Sequence, residues 1–292
     1  MPPPLTFPGK LALQQRVLPA YRAPFLEALA GACQGGLSVF AGAPLPVEGI
    51  TPVYTLAQAQ LVPARNWTIR DPSSPLFLCW QGGFLRWLDE VQPDALVVEA
   101  NPRYPATRLA VRWMHRRGRP VVGWGLGAPP LSGRLARLRR WERLSMLGSL
   151  DAVIAYSRTG AEQYRRLGLP AERVFVAPNA ADPAPVMPPP IRSSRFSENR
   201  MVLFVGRLQA RKRLDLLLQA CARLPLALQP HLVIVGDGPA RAELENLAQQ
   251  VYPRAEFAGT RHGAELEPYY QAADLFVLPG TGGLAVQQAM AR

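Results

Sequence analysis

Two cations, Arg207 and Lys212, follow an apolar run that predicts a buried strand and precede a segment with a helical pattern. Gly206, between the strand and Arg207, allows a tight turn. Ligands of open α/β sheets bind beyond the carboxyl ends of the strands, and a guanidinium beside an ammonium suits a diphosphate. The alternative is that both cations lie on a solvated loop, and local chemistry alone favours neither interpretation.

A glycine-rich segment, PGTGG, follows another apolar run near the end of the sequence. Gly280, Gly282 and Gly283, with Thr281 among them, let backbone N–H groups approach a phosphate or a sugar closely. A helix predicted from about Leu284 favours an anion site over a flexible turn. The earlier G-D-G-P turn lacks the GxGxxG spacing of dinucleotide sites and predicts only a turn between a strand and a helix.

These segments belong to an alternation of short apolar runs and helical patterns, which predicts parallel sheets with helices between the strands. Residues 42–75 look irregular, and prolines near residue 185 predict a linker. We therefore expect an N-terminal domain over 1–180, a linker over 181–199 and a C-terminal domain over 200–292. The predicted strands are Leu11–Leu18, Leu37–Ala41, Ala95–Ala100, Pro120–Trp124, Ala152–Tyr156, Val174–Ala177, Met201–Val205, Leu232–Val235, Glu256–Ala258 and Leu275–Leu278.

Three C-terminal segments together resemble the donor-binding domain of glycosyltransferase family 4: FVGRL followed by a lysine, VGDGP, and AADLFVLP followed by GL and AMA. APNAAD resembles the family's crossing into its linker. The N-terminal similarity is weaker and depends on LPAYRAPFLEALA, DALVVEANPRY and PVVGWGLGAP. The resemblance implies an α/β protein with the GT-B fold: two Rossmann-like, doubly wound parallel-sheet domains, the second of them incomplete.

The resemblance implies a retaining enzyme that moves a sugar from a nucleotide-diphosphate sugar to a glycan or lipid-linked acceptor and needs no metal or cofactor. Arg207 and Lys212 match the basic pair that holds the donor diphosphate during catalysis. Gly206 and the loop Gly280–Leu284 match the donor-binding segments. Gln288 matches the second glutamate of the family's paired motif and Gly280 the first, so neither acid is present.

Other functions remain open, two of them within the same fold and one from another class of protein. A catalytically impaired sugar-nucleotide-binding protein would tolerate the missing acids. A nucleotide-sugar epimerase would need several acids and histidines, and this chain has only His115, His231 and His262. A basic nucleic-acid-binding protein is disfavoured because no recognisable reading motif or aromatic interleaving is present.

The acceptor is expected in the cleft between the domains, against loops that follow N-terminal strands. Glu99, Asn101 and Arg103 are polar groups at the carboxyl end of a strand, and capping of a helix is an equally good interpretation of them. Leu126 stands where many relatives have a histidine, and we assign it no role. The acceptor-side candidates are Tyr21, Arg22, Glu99, Asn101, Arg103, Gly125 and Gly127.

The formal net charge is +12, and Lys10 and Lys212 are the only lysines. This charge indicates acidic partners, or it reflects only the base composition of the genome. Two arginine-rich helices, predicted near 107–117 and 134–147, would suit a membrane surface that presents a lipid-linked acceptor. We favour the alternative, in which their apolar sides meet the sheet and their arginines face water.

Three scattered cysteines, without a CxxC pair, argue against a disulfide framework and a zinc site. We find neither a signal peptide nor an 18-residue apolar span. We expect a cytoplasmic protein, at most peripheral at the inner face of the membrane, with a role in polysaccharide or cell-envelope synthesis. Since no Gly or Pro ends the predicted helix before Arg292, we expect an unfinished domain and a chain that is itself weakly active or inactive.

Overall fold

The computed structural model describes residues 5–48, 50–72, 74, 76–133, 135–179 and 200–292. The chain divides into two compact units, Met1–Asn179 and Ala180–Arg292. The linker that we predict over residues 181–199 lies outside the described residues.

The described part of the first unit contains eight strands in one sheet. They are β1 Leu11–Val17, β2 Leu37–Gly42, β3 Gln60–Ile69, β4 Leu78–Gly82, β5 Ala95–Glu99, β6 Val121–Gly125, β7 Ala152–Ala155 and β8 Val174–Val176. The order across the sheet is β4-β3-β2-β1-β5-β6-β7-β8, and the pairs are parallel except β3 with β4. The central strands are apolar because helices or loops cover both of their faces.

Helices of the first unit lie on both faces of this sheet. They are α1 Ala23–Ala32, α2 Phe84–Val91, α3 Ala106–His115, α4 Ala136–Gly148 and α5 Arg158–Arg166, with 3-10 turns at Ala20–Arg22, Pro46–Glu48 and Ala171–Arg173. Leu26 of α1 packs with Val39 in one apolar cluster, whereas Trp87, Met114 and Tyr164 belong to the cluster on the other face. This is the doubly wound arrangement that the alternation of strands and helices predicts.

The interpretation of residues 42–75 as irregular is wrong, because Gln60–Ile69 forms the long strand β3. Its side chains alternate between half-buried and exposed, and β4 pairs with it in antiparallel register. Pro63, Arg65 and Asn66 interrupt the apolar pattern that marks a buried strand. Strands near a sheet edge need only one covered face, so their sequences are harder to recognise.

The second unit contains a four-stranded parallel sheet in the order β11-β10-β9-β12. Its elements are β9 Met201–Val205, α6 Leu214–Ala222, β10 His231–Val235, α7 Arg241–Val251, β11 Glu256–Gly259, α8 Glu267–Ala272, β12 Leu275–Phe276 and α9 Leu284–Met290. Phe204 and Leu218 share one apolar cluster, and Val233 and Tyr270 share another, so both faces of the sheet are packed.

Several element boundaries in the second unit depart from the predictions by a few residues. The last strand ends at Phe276 rather than Leu278. The sequence pattern also predicts a short helix over Glu265–Ala273. In the structure this segment begins as a 3-10 turn, Gly263–Leu266, and becomes α-helical at Glu267. Pro268 lies in the first turn of α8, where its missing N–H costs no hydrogen bond.

Within the described ranges, no helix is both long enough and apolar enough to cross a bilayer.

Candidate functional site

The turns that follow β9 and β10 are joined by backbone hydrogen bonds. Gly206 donates its N–H to the carbonyl of Val235 at 3.0 Å, and Leu208 donates to Asp237 at 2.9 Å. A Cβ at Gly236 would collide with the carbonyl oxygen of Gly206. The G-D-G-P turn therefore fixes the loop that carries Arg207 and Lys212, a role that its sequence alone does not reveal.

Lys212 ends a short 3-10 turn and points toward the glycine-rich loop. The residue is only 6% exposed, and its Nζ donates to the carbonyls of Thr281 at 2.8 Å and Gly282 at 3.2 Å. In return, the carbonyl of Arg211 accepts the Thr281 N–H at 3.0 Å and the Thr281 hydroxyl at 2.9 Å. The structure thus brings the predicted cation and the predicted glycine loop together, although they are far apart in sequence.

Burial, helped by the neighbouring charge of Arg211, lowers the pKa of Lys212 below its ordinary value. Two carbonyl dipoles hold the ammonium. A bound anion would favour the charged form of this amine. Arg207 lies half-buried directly after Gly206, in the turn beyond the carboxyl end of β9.

Gly280 lies against the backbone of Arg211 and Lys212, where an added Cβ would collide with the Arg211 carbonyl oxygen. This contact gives a physical reason for a glycine where the family resemblance expects an acid. Nothing lies within 4 Å of a Cβ built at Gly282, so that part of the loop faces open space. Leu284 begins α9, and Gln288 on the same helix accepts a 3.4 Å hydrogen bond from the hydroxyl of Tyr270.

In the first unit, Tyr21 and Arg22 lie in the 3-10 turn before α1. Arg22 is 7% exposed, donates to the side-chain oxygen of Gln15, and donates to the Tyr156 hydroxyl at 2.6 Å. Its guanidinium lies 4.8 Å from the centre of the Trp124 ring. Arg22 therefore organises the carboxyl edge of this sheet, and it does not extend into solvent.

Glu99 ends β5 at the same edge of the sheet. Burial raises the pKa of its carboxyl group, while the positive charges of Arg22 and Arg16 oppose that change. Asn101 accepts hydrogen bonds from the backbone N–H and the Nε of Arg103 at 3.2 and 3.3 Å. No side chain caps the start of α3, so the alternative that Glu99, Asn101 and Arg103 cap a helix is wrong.

Gly125 and Gly127 pack closely against α5. A Cβ at Gly125 would lie 2.7 Å from the Tyr164 hydroxyl, and one at Gly127 would lie 2.6 Å from the Cα of Gly160. Gly127 also has a φ of +115°, which side chains rarely permit. Between them, Leu126 is exposed.

Sequence reasoning missed a buried polar network on β1. Gln14, Gln15 and Arg16 are all buried, and Gln14 bonds to Gln81 of β4. Arg16 forms an ion pair with Glu48, including an Nη1–Oε2 contact of 3.0 Å. Three successive polar residues at the end of an apolar strand are the signal that could have revealed this network.

The two arginine-rich helices behave differently. On α3, Ala110, Val111 and Met114 are buried against the sheet, as the favoured interpretation expects. On α4, only Met146 and Leu147 are buried, both in the last turns of the helix.

Among the described residues, no group of three or more His, Cys, Asp or Glu side chains could hold a metal ion. Cys33, Cys79 and Cys221 are buried, free thiols.

Family models match both parts of the chain: Glycosyltransferase Family 4 over residues 39–185, and Glycosyl transferases group 1 over residues 199–292. The sulfoquinovosyl transferase SQD2 of Arabidopsis thaliana is 38% identical over 96 residues, which are 32% of this chain and 18% of that protein. The D-inositol 3-phosphate glycosyltransferase of Xylanimonas cellulosilytica is 30% identical over 168 residues, 50% of this chain and 40% of the relative.

The lipopolysaccharide core biosynthesis glycosyltransferase LpsE of Rhizobium meliloti is 28% identical over 181 residues, 58% of this chain and 52% of that protein. The matched part of this chain thus spans about half, or less, of each of these relatives.

Solved structures show the same fold at low identity. Sucrose-phosphate synthase of Thermosynechococcus elongatus superposes with a TM-score of 0.69 at 19% identity, covering 96% of this chain and 78% of that one. HepE of Anabaena in complex with UDP gives a TM-score of 0.64 at 16% identity, with coverage of 97% and 78%. With two Rossmann-like units of the GT-B kind and a family model that matches half of its length, the chain belongs to glycosyltransferase family 4.

Proposed function

We propose that the protein transfers a sugar from a nucleotide-diphosphate sugar to a glycan or lipid-linked acceptor, with retention of configuration and without a metal. The observation that carries this proposal is the convergence of Lys212, the turn of Arg207 and the loop of Gly280–Gly283 beyond the strands of the second unit. This is the edge of an open α/β sheet at which ligands bind.

The role proposed for this convergence is to stabilise the leaving diphosphate. As the bond between sugar and phosphate breaks, negative charge grows on the phosphate while the sugar becomes oxocarbenium-like. Arg207 supplies a fork of donors, and the buried Lys212 supplies a point charge. Removal of one preorganised donor from a comparable oxyanion site costs about 2.7–4 kcal/mol of transition-state stabilisation.

Lys212 can take this role only if it exchanges partners. In this structure its Nζ is held by the carbonyls of Thr281 and Gly282. A phosphate oxygen is a stronger acceptor for an ammonium than a carbonyl is. Donor binding would therefore draw Lys212 away from the loop and free those carbonyls for donor hydroxyl groups.

The proposed acceptor side is the carboxyl edge of the first sheet, where Arg22, Glu99 and the segment Gly125–Gly127 lie. A carboxyl group whose pKa is raised by burial is suited to hydrogen bonding with a hydroxyl. A relative named for lipopolysaccharide core biosynthesis supports a place in polysaccharide or cell-envelope synthesis.

The direct test combines Arg207→Ala with Lys212→Ala and measures nucleotide-sugar binding by calorimetry across several bases and sugars. We expect binding to be lost while the circular dichroism spectrum is kept. Arg211→Ala is the matched control, because it removes an exposed charge from the same loop and leaves the Arg211 backbone contacts in place. Unchanged affinity in the double variant would refute the assignment.

A second candidate, a sugar-nucleotide-binding protein with impaired catalysis, is favoured by two observations. Gly280 has no room for the acid that the family resemblance expects, and Gln288 is neutral. Donor binding without transfer or donor hydrolysis, in a chain whose fold is intact, would select this candidate over the enzyme.

A further inference from the structure

In the first half of α4, apolar side chains are exposed and two arginines are half-buried. Leu138 and Trp141 are 53% and 62% exposed, whereas Arg139 and Arg143 are half-buried. Residues three or four apart share one face of a helix, so the apolar pair and the arginine pair define opposite faces. A helix that packs only on its own sheet would show the reverse arrangement.

Contacts on the inner face hold α4 in this orientation. The Nη1 of Arg143 donates to the carbonyl of Pro129 at 2.7 Å, and the Arg108 guanidinium reaches the carbonyl of Glu142 at 3.4 Å. Met146 and Leu147 anchor the last turns in the core. Rotating the helix to hide Trp141 would break these contacts, so the exposed apolar face belongs to the packed unit.

The surroundings of this face are basic. Between residues 126 and 148 the sequence has five arginines and one acid, Glu142. Arg137 and Arg140 are exposed and immediately precede Leu138 and Trp141 in the sequence. Leu135, at the N-cap of the helix, is exposed as well and extends the apolar surface. We call the set Leu135, Arg137, Leu138, Arg140 and Trp141 the α4 ridge.

We propose that the α4 ridge docks on an anionic lipid surface, with Leu138 and Trp141 at the level of the headgroups and Arg137 and Arg140 against lipid phosphates. An apolar face that carries Trp and Leu and is bordered by arginines suits the interface of a bilayer. Basic residues near an anionic leaflet add attraction that falls off within a Debye length. A second copy of the chain is a poorer occupant, since it would bring arginines of like charge together.

The test is flotation with vesicles of phosphatidylcholine alone or mixed with phosphatidylglycerol, and it requires no sugar donor. It is therefore independent of the transfer activity proposed above. The wild-type chain should bind the mixed vesicles and release them at high salt. Leu138→Ser combined with Trp141→Ser should weaken the binding by about tenfold, and Arg137→Gln combined with Arg140→Gln by a similar factor.

A matched control removes the same residue types from another surface. Leu78 and Trp80 on β4 are 41% and 39% exposed, so Leu78→Ser combined with Trp80→Ser should leave vesicle binding unchanged. Thermal unfolding of each variant, followed by circular dichroism, verifies that it is folded.

Three outcomes would overturn the proposal. The first is vesicle binding by the wild-type chain that phosphatidylglycerol does not increase. The second is vesicle binding that the β4 variant loses and the α4 variant keeps. The third is a wild-type dimer in analytical ultracentrifugation that the α4 variant converts to monomer, which would make the ridge an interface between copies.

Discussion

Lys212 shows how a single side chain can have a structural and a chemical role. Its ammonium satisfies the carbonyls of Thr281 and Gly282, which join two loops of the second unit. An unpaired buried ammonium would be costly, so the dipoles of those carbonyls are what make its burial tolerable. The same contacts mean that a donor must offer a better acceptor before the amine changes partner.

The lowered pKa of Lys212 predicts a pH dependence of stability. Between that lowered value and the ordinary value of 10.5, the unfolded chain binds the proton that the folded chain has released. The free energy of unfolding should therefore rise with pH in this alkaline window. Lys212→Met removes the titrating group and should remove this rise.

Urea unfolding of wild type and Lys212→Met across the window tests this prediction, because other titrating groups cancel in the difference between the two curves. A difference in the free energy of unfolding between the two chains that stays constant across the window would contradict the prediction.

At the scale of elements, a glycine that lies close to another backbone segment should not tolerate a side chain, whereas a glycine that faces open space should. Gly280→Ala should lower the free energy of unfolding by about 1–3 kcal/mol, since a Cβ there collides with the Arg211 carbonyl. Gly282→Ala should change it by less than about 0.5 kcal/mol, because nothing lies within 4 Å of its Cβ. Equal losses in urea unfolding would show that loop geometry, and not this contact, sets the cost.

Gln288→Glu is the complementary change on α9. Gln288 is half-buried and has the neutral hydroxyl of Tyr270 as a neighbour, so a carboxylate fits without a collision. If the nucleotide ribose binds there, the charge should strengthen its hydrogen bonds and lower the Kd by about threefold to tenfold. Calorimetric titration of the wild-type and variant chains with the same nucleotide measures this change, and weaker binding would contradict the placement.

The buried parallel strands could be predicted from sequence because both of their faces are covered, which produces apolar runs such as Met201–Val205. The strand Gln60–Ile69 could not, because its alternation is interrupted by Pro63 and polar residues. The hydrogen bond from Lys212 to the carbonyl of Thr281 joins residues that are 69 positions apart in the sequence. Local patterns do not encode such a contact, although the chemistry of each partner was recognisable.

At the scale of the whole molecule, each unit has its own sheet and its own apolar clusters. A nucleotide that binds as proposed should protect amides in Gly206–Lys212 and Pro279–Gly283 and leave most of the first unit unchanged. Hydrogen exchange read by mass spectrometry, with and without nucleotide, measures this pattern. Protection confined to the first unit would place the nucleotide site elsewhere.

The scarcity of lysine has a consequence for the chemical labelling of Lys212. Lys10 is exposed and Lys212 is buried, and the sequence contains no other lysine. An acylating reagent needs an accessible neutral amine, so it should modify Lys10 quickly and Lys212 only when the glycine loop opens. The slow second phase of labelling at Lys212 would then time the opening of the loop directly, without an engineered probe.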